Sequence, residues 1–168
     1  MIYLITGGQR SGKSSHAQEL ALSLTDEPIY VATARLWDDD FQARVKRHQH
    51  DRDERWTTVE VEKALGSLKL NGKVAVVDCV TLWLTNFFMD TDQNVERSMK
   101  LAKDELKQLF RQDATLILVT NEIGMGTHAP TESGRKFADM QGWMNQFIAE
   151  QADQVILMVS GLPVQVKE

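Results

Sequence analysis

Gly7-Gly8-Gln9-Arg10-Ser11-Gly12-Lys13-Ser14 follows directly on the apolar run Met1-Ile2-Tyr3-Leu4-Ile5. These eight residues fit the pattern G-x-x-x-x-G-K-[ST], and their position between a predicted strand and a predicted helix gives the pattern its meaning. A strand that feeds a glycine-rich turn, with a helix beyond, aims several backbone N–H groups and the positive end of the helix dipole at one point. A polyphosphate matches that charge distribution. Lys13 is then placed to reach the β- and γ-phosphates of a nucleoside triphosphate, and the Ser14 hydroxyl to ligate Mg²⁺. Gly7, Gly8 and Gly12 let the backbone curl, and Gln9, Arg10 and Ser11 complete the cradle. Beyond Ser14, residues Ala17, Leu20, Ala21 and Leu24 recur at i, i+3, i+4 and i+7, which predicts a helix with one buried face.

Outward from the loop, short apolar runs rich in β-branched residues alternate with helical patterns, as in βα units around a mostly parallel sheet. Strands are expected at 2–6, 29–33, 74–78, 115–120 and 154–159. Val95, Met99, Ala102, Leu106 and Leu109 form one helical stripe, and Phe137, Met140, Met144, Phe147 and Ile148 another; both read as core faces. After Ser160-Gly161, the tail from Pro163 to Lys167 reads as a short final strand, a hairpin or edge strand. The expected architecture is an α/β, three-layer phosphate-loop fold. With no linker or repeat in the sequence, residues 1–168 are expected to form a single nucleotide-binding catalytic domain.

The chain of 168 residues carries a net charge of −5, which argues against nucleic acid or a membrane surface as partner. Cys79 is the only cysteine, so disulfide frameworks and cysteine-based metal sites are excluded. It reads as a small buried hydrophobe rather than a nucleophile. With no basic leader pattern and no apolar run approaching the length of a membrane span, a cytoplasmic protein is expected.

Ligands of open α/β sheets collect beyond the carboxyl ends of the strands. Asp78 closes the strand at 74–78 and is the expected carboxylate for Mg²⁺ or nucleotide. Thr33-Ala34-Arg35 follows the second strand, and Asn121-Glu122-Ile123-Gly124-Met125-Gly126 follows the fourth; the latter is either an ordinary loop or a substrate-binding one. The segment from Asp38 to Trp56 departs from the acidic background. Arg44, Lys46, Arg47, Arg52 and Arg55 surround His48 and His50, a pattern that fits either a solvated charged helix or a phosphate-attracting site. Phe41, Arg44, Val45 and His48 share a face at helical spacing, and cationic neighbours would both attract phosphates and keep the His48 imidazole neutral and nucleophilic. His16 reads as a packing or helix-surface residue and His128 as a loop residue.

The phosphate loop, Tyr30-Val31-Ala32-Thr33, the run from Asp38-Asp39 through Arg44 and His48 to Trp56, and Asn121 to Gly126 together resemble the bifunctional adenosylcobinamide kinase and adenosylcobinamide-phosphate guanylyltransferase family of cobalamin synthesis. The resemblance spans essentially the whole chain. It implies a RecA-like fold and two reactions: phosphorylation of adenosylcobinamide by ATP or GTP, and transfer of GMP from GTP through a guanylylated histidine to adenosylcobinamide phosphate. By the same resemblance the histidine is His48, and nucleotide contacts fall on the phosphate loop, Ala32, Thr33, Ala34, Gln49, His50, Asp51, Arg52, Glu60 and Asp78. It further implies a homotrimer. One departure is an additional residue between Gly126 and Pro130, in the loop expected to meet the corrinoid. From the residues alone, two other readings stand beside this one. The chain would be another small phosphate-loop kinase of an alcohol, or a nucleotide-dependent switch or ATPase subunit.

Overall fold

A computed structural model describes residues 1–35 and 52–168. Its centre is a seven-stranded sheet in the order β3-β2-β4-β5-β1-β6-β7. The strands are β1 (Ile2–Gly7), β2 (Ile29–Ala32), β3 (Thr57–Glu60), β4 (Val74–Asp78), β5 (Thr115–Val119), β6 (Gln154–Val159) and β7 (Leu162–Lys167). All neighbouring pairs are parallel except β6 with β7. β5 therefore separates the strand that feeds the phosphate loop from β4, which ends in Asp78. This is a mostly parallel, three-layer α/β arrangement.

Alternation along the central strands assigns each side chain to a face. Leu4, Val31, Ala75, Val77, Leu116 and Leu118 point into one core, which they share with α2 (Val80–Asp90), α3 (Val95–Leu109) and α4 (Glu132–Gln151). Tyr3, Ile5, Tyr30, Val76, Ile117 and Val119 point into the other, shared with Ala17 and Ala21 of α1 (Lys13–Leu24). Both expected stripes on α3 and α4 lie against the first core, with Val95, Phe137 and Phe147 at its margin. Leu24 is a correction: at the last position of α1 it is 45% exposed, and the buried face of that helix is made by Lys13, Ala17 and Ala21.

Helix boundaries follow capping chemistry. The Asn94 side chain accepts from Arg97 N at the start of α3, and Thr131 Oγ1 accepts from Gly134 N at the start of α4. At the start of α1 no side chain caps the helix, so its leading N–H groups are left for an anion.

The structure differs from expectation in three ways. β2 and β5 end one residue early, at Ala32 and Val119, while β1 runs on to Gly7 and β7 begins at Leu162. β3 is an additional parallel edge strand, exposed on most of its length and thus without the apolar run that marks an interior strand. The third, α2, is a helix that the sequence patterns had not marked out. Its residues Val80, Thr81, Trp83, Leu84, Asn86, Phe87 and Phe88 are all buried, so it carries little of the one-sided pattern by which a surface helix is read.

Candidate active site

The phosphate loop stands at the carboxyl end of β1, and its shape depends on glycine at two points. Gly7 has φ 148°, and a Cβ there would lie 2.6 Å from the Met158 carbonyl oxygen and 2.8 Å from Ser11 Oγ. Gly12 has φ 93°, with Gly161 Cα 3.2 Å from where its Cβ would be. The β6–β7 hairpin thus supports the loop from beneath. Gly161 N donates to Ser11 O at 3.0 Å, and the turn reverses through Ser160 and Gly161, both with positive φ.

Lys13 is buried at the start of α1, and its Nζ donates to Gly8 O at 2.5 Å and to Ser11 Oγ at 3.5 Å. Burial lowers its pKa, while Cys79 and the Asp78 carboxylate oppose that shift. Gly8, Gln9 and Arg10 are exposed at the crest of the loop. Ser14 is half-buried, and its hydroxyl has no hydrogen-bond partner among the described residues.

A second group of expected residues meets at the ends of β3, β2 and β4. Ala32 is in register with Glu60 on one side and Asp78 on the other. Glu60 is exposed. Thr33 is fully buried; its Oγ1 donates to Cys79 O at 2.8 Å, and its carbonyl accepts from Asn86 Nδ2 at 2.9 Å. Ala34 is half-buried beside it.

Arg35 then leaves the strand end in a bidentate pair with Asp90, at 2.8 and 3.0 Å, and with Nε 2.9 Å from Glu62. Cys79 is buried, and burial together with the neighbouring Asp78 carboxylate pushes its thiol up to about 12. It is therefore a protonated packing residue and not a nucleophile. His16 is half-buried on α1 and His128 is exposed in a loop.

Asp78 and Arg52 are joined by Tyr30, which the sequence placed on a strand and in the family resemblance but to which it gave no role. Tyr30 OH donates to Asp78 Oδ2 at 3.0 Å, and the Arg52 guanidinium lies 3.6 Å over the Tyr30 ring centroid. Trp56 meets the same ring edge-on, with centroids 6.1 Å apart. Burial, and then the Asp78 charge, raise the Tyr30 pKa, so the phenol stays a donor. Of the histidine segment, Arg52 and Trp56 are described; His48, Gln49, His50 and Asp51 lie outside the described residues, as does the basic run Arg44 to Arg47.

The loop after β5 is tied on both sides. Glu122 N donates to Gly7 O at 3.0 Å, so the Asn121-Glu122 backbone borders the phosphate loop, and Asn121 N donates to Thr81 Oγ1 at 3.0 Å. Under it, Thr120 Oγ1 and Asn145 Oδ1 both accept from Gln141 Nε2 at 2.9 Å, and Asn145 Nδ2 donates to Asn121 O at 3.1 Å. This first turn is therefore built rather than free. Further along, Met125 is 79% exposed. Gln141 and Asn145 sit four apart on α4, the spacing that puts two side chains on one face, and that spacing was their one trace in the sequence.

Mg²⁺ was the one metal the sequence suggested. The donor set at the loop, an unpartnered serine hydroxyl with the strand-end carboxylate of Asp78, suits a hard, oxygen-seeking cation that brings phosphate oxygens and water with it. No cluster of three or more His, Cys, Asp or Glu side chains able to hold a metal by themselves occurs among the described residues. No helix there is long and apolar enough to cross a membrane.

Comparison with known proteins agrees with this geometry. Residues 3–166 match the family model described as cobinamide kinase / cobinamide phosphate guanyltransferase. The chain is 37% identical to the bifunctional adenosylcobalamin biosynthesis protein CobU of Escherichia coli, over 99% of this chain and 100% of that protein. It is 36% identical to the Salmonella typhimurium protein of the same name, over 99% of this chain and 100% of that one. It is also 36% identical to the bifunctional adenosylcobalamin biosynthesis protein CobP of Pseudomonas aeruginosa, over 98% of this chain and 96% of that one. The match takes in the phosphate loop, the histidine segment and the C-terminal hairpin together, and the chain belongs to the cobinamide kinase / cobinamide phosphate guanyltransferase family.

Proposed function

We propose that this chain phosphorylates the alcohol of adenosylcobinamide and then transfers GMP from GTP to the resulting phosphate, with both reactions fed by one phosphate-loop site. The observation that carries this is the meeting, on one side of the sheet, of a buried loop lysine, the Asp78 carboxylate and Arg52 of the histidine segment. A phosphate loop by itself is equally suited to another alcohol kinase or to a nucleotide switch. The family match extends through the histidine segment, which those alternatives leave without a purpose.

In the kinase reaction the alcohol oxygen forms a bond to the γ-phosphorus, the bond from that phosphorus to the bridging oxygen of the nucleotide breaks, and the alcohol proton departs. The protein's contribution is positioning and charge neutralisation. Lys13 and the uncapped N–H groups of α1 meet the phosphate oxygens, and Glu122, held next to Gly7, stands with Asp78 as a carboxylate able to receive the proton. Ser14 and Asp78 would hold Mg²⁺, which supplies charge neutralisation at the phosphates.

In the second reaction a ring nitrogen of His48 attacks the α-phosphorus of GTP and pyrophosphate leaves. An oxygen of adenosylcobinamide phosphate then displaces the histidine, which returns to its neutral form. Splitting the transfer in this way gives each displacement a good leaving group. Gln49, His50, Asp51, Arg52, Glu60 and Ala32 to Ala34 form the nucleotide-binding side. We take the active protein to be a homo-oligomer, a trimer by the resemblance. In support, Leu162, Val164 and Val166 alternate along the edge strand β7 and are 69%, 47% and 62% exposed.

Intact-mass analysis after incubation with GTP and Mg²⁺ tests the reading. The expected result is a gain of one GMP that is acid-labile, as a phosphoramidate is, and absent in His48→Ala. Wild-type protein that takes up no GMP would remove the guanylyltransferase half, and failure to phosphorylate adenosylcobinamide with either nucleotide would remove the kinase half.

A further inference from the structure

Tyr30 is in direct contact with both Asp78 and Arg52, and each of its contacts has a directional consequence. Its hydroxyl donates to Asp78 Oδ2, which fixes one carboxylate oxygen and hence the rotation of the other. The Arg52 guanidinium carbon lies 3.6 Å over its ring centroid, which holds that planar group against the ring face. Arg52 Nη1 is buried and has no hydrogen-bond partner among the described residues. A buried donor without an acceptor is costly to keep, and an anionic ligand would relieve it.

Tyr30 itself cannot drift. It is 5% exposed, flanked edge-on by Trp56, and its backbone is paired on both sides, with Thr58 of β3 and Val76 of β4. We propose that Tyr30 is a positioning residue that sets the Asp78 carboxylate and the Arg52 guanidinium at fixed angles to each other. On this view one rigid side chain aligns the phosphate-loop end of the site with the end that leads into the His48 segment. The inference rests on the two-reaction reading above, and it concerns nucleotide orientation rather than a new chemical step.

The test uses the full chain with three readouts: GTP affinity by calorimetry, GMP uptake by intact mass, and phosphoryl transfer to adenosylcobinamide. Tyr30→Phe keeps the ring under Arg52 and removes only the bond to Asp78. It is expected to lower the rates of both reactions about tenfold with GTP affinity nearly unchanged. Tyr30→Leu removes both contacts, and GTP affinity should then also fall about tenfold, matching Arg52→Ala.

The double variant Tyr30→Leu/Arg52→Ala should bind GTP no more weakly than Arg52→Ala alone, a non-additivity that a purely structural role for the ring would not produce. Because Tyr30→Leu removes a buried ring, Arg52→Lys keeps the test standing if that protein does not fold. It retains the charge, loses the plane, and should bind GTP nearly as poorly as Arg52→Ala. Wild-type rates in Tyr30→Phe, multiplying effects in the double variant, or wild-type affinity in Arg52→Lys would each overturn the inference. A wild-type protein that takes up no GMP would instead strike the proposed function and leave the measured Tyr30–Arg52 coupling in GTP binding to stand or fall separately.

Discussion

The end of β1 and the ends of β2 and β4 lie at the same edge of the parallel sheet and supply the two halves of the proposed site, yet they are shaped by different means. The phosphate loop is shaped by backbone. Gly7 and Gly12 allow dihedral angles closed to other residues, the hairpin at Gly161 closes against the loop, and the ligand-facing groups are main-chain N–H. At β2 and β4 side chains do the shaping. Tyr30 orients Asp78, Thr33 is tied to Cys79, and Arg35 is clamped by Asp90 and Glu62. A backbone-built site tolerates few substitutions but can be read locally. A side-chain-built site is made of pairs far apart in sequence, each of which can be removed separately.

The largest effect should come from the one side chain on which the backbone-built half depends. Lys13→Ala is expected to lower phosphoryl transfer by about a hundred- to a thousandfold, measured as kcat with adenosylcobinamide and either nucleotide. Near-normal turnover would show that the loop's N–H groups suffice and would break the distinction. Next is Gly7→Ala. Its new Cβ would fall 2.6 Å from the Met158 carbonyl oxygen at φ 148°, so the cost is backbone strain as well as a clash. A loss of about 1–3 kcal/mol in denaturant unfolding is expected, with weakened GTP binding. Unchanged stability would mean that the hairpin yields and is not the support it looks to be.

The same contrast explains what could be read from the sequence. The loop, the strands at β1, β4 and β6, the C-terminal hairpin and the stripes of α3 and α4 are all local patterns, and each is present. α2 was missed because Trp83, Leu84, Phe87 and Phe88 crowd it with apolar residues, which erases the period of a half-buried helix. β3 was missed because an exposed edge strand need not be apolar, although Glu60 at its end was named by resemblance. Tyr30 looked like any aromatic strand residue. Its meaning depends on Arg52 and Asp78, 22 and 48 positions away, and spacing within a strand carries no record of such pairs. The Thr120–Gln141–Asn145 network under the Asn121 loop is hidden for the same reason.

Cys79 gives a prediction on the side-chain half that is read through pH. Its thiol is raised from 9.0 to about 12, mainly by burial, so the folded protein keeps the proton at pH values where the unfolded chain releases it. The contribution to stability is therefore present below pH 9.0 and declines as pH rises from there towards about 12. Cys79→Ala should cost about 1 kcal/mol at neutral pH, leave both reactions intact, and show a shallower loss of stability across that alkaline window. Rapid alkylation of the native wild-type thiol at pH 8 would contradict its burial and return Cys79 to the list of reactive groups.

The smallest effect is expected at the clamp that ends β2. Arg35 holds the Asp90 carboxylate well below the ordinary carboxylate range, with Lys63 assisting and desolvation opposing. A depressed acid contributes stability that is fully present above its unfolded value of 3.8 and is lost as pH falls towards the folded value. These side chains are between 25% and 54% exposed, so solvent and salt screen the pairs. Asp90→Asn should accordingly cost no more than about 1 kcal/mol, with the difference from wild type shrinking both in high salt and below pH 3.8. If the loss is instead several times larger and insensitive to salt, Asp90 is acting as a buried structural anchor. The end of β2 would then be as rigidly built as the phosphate loop, by charges in place of glycines.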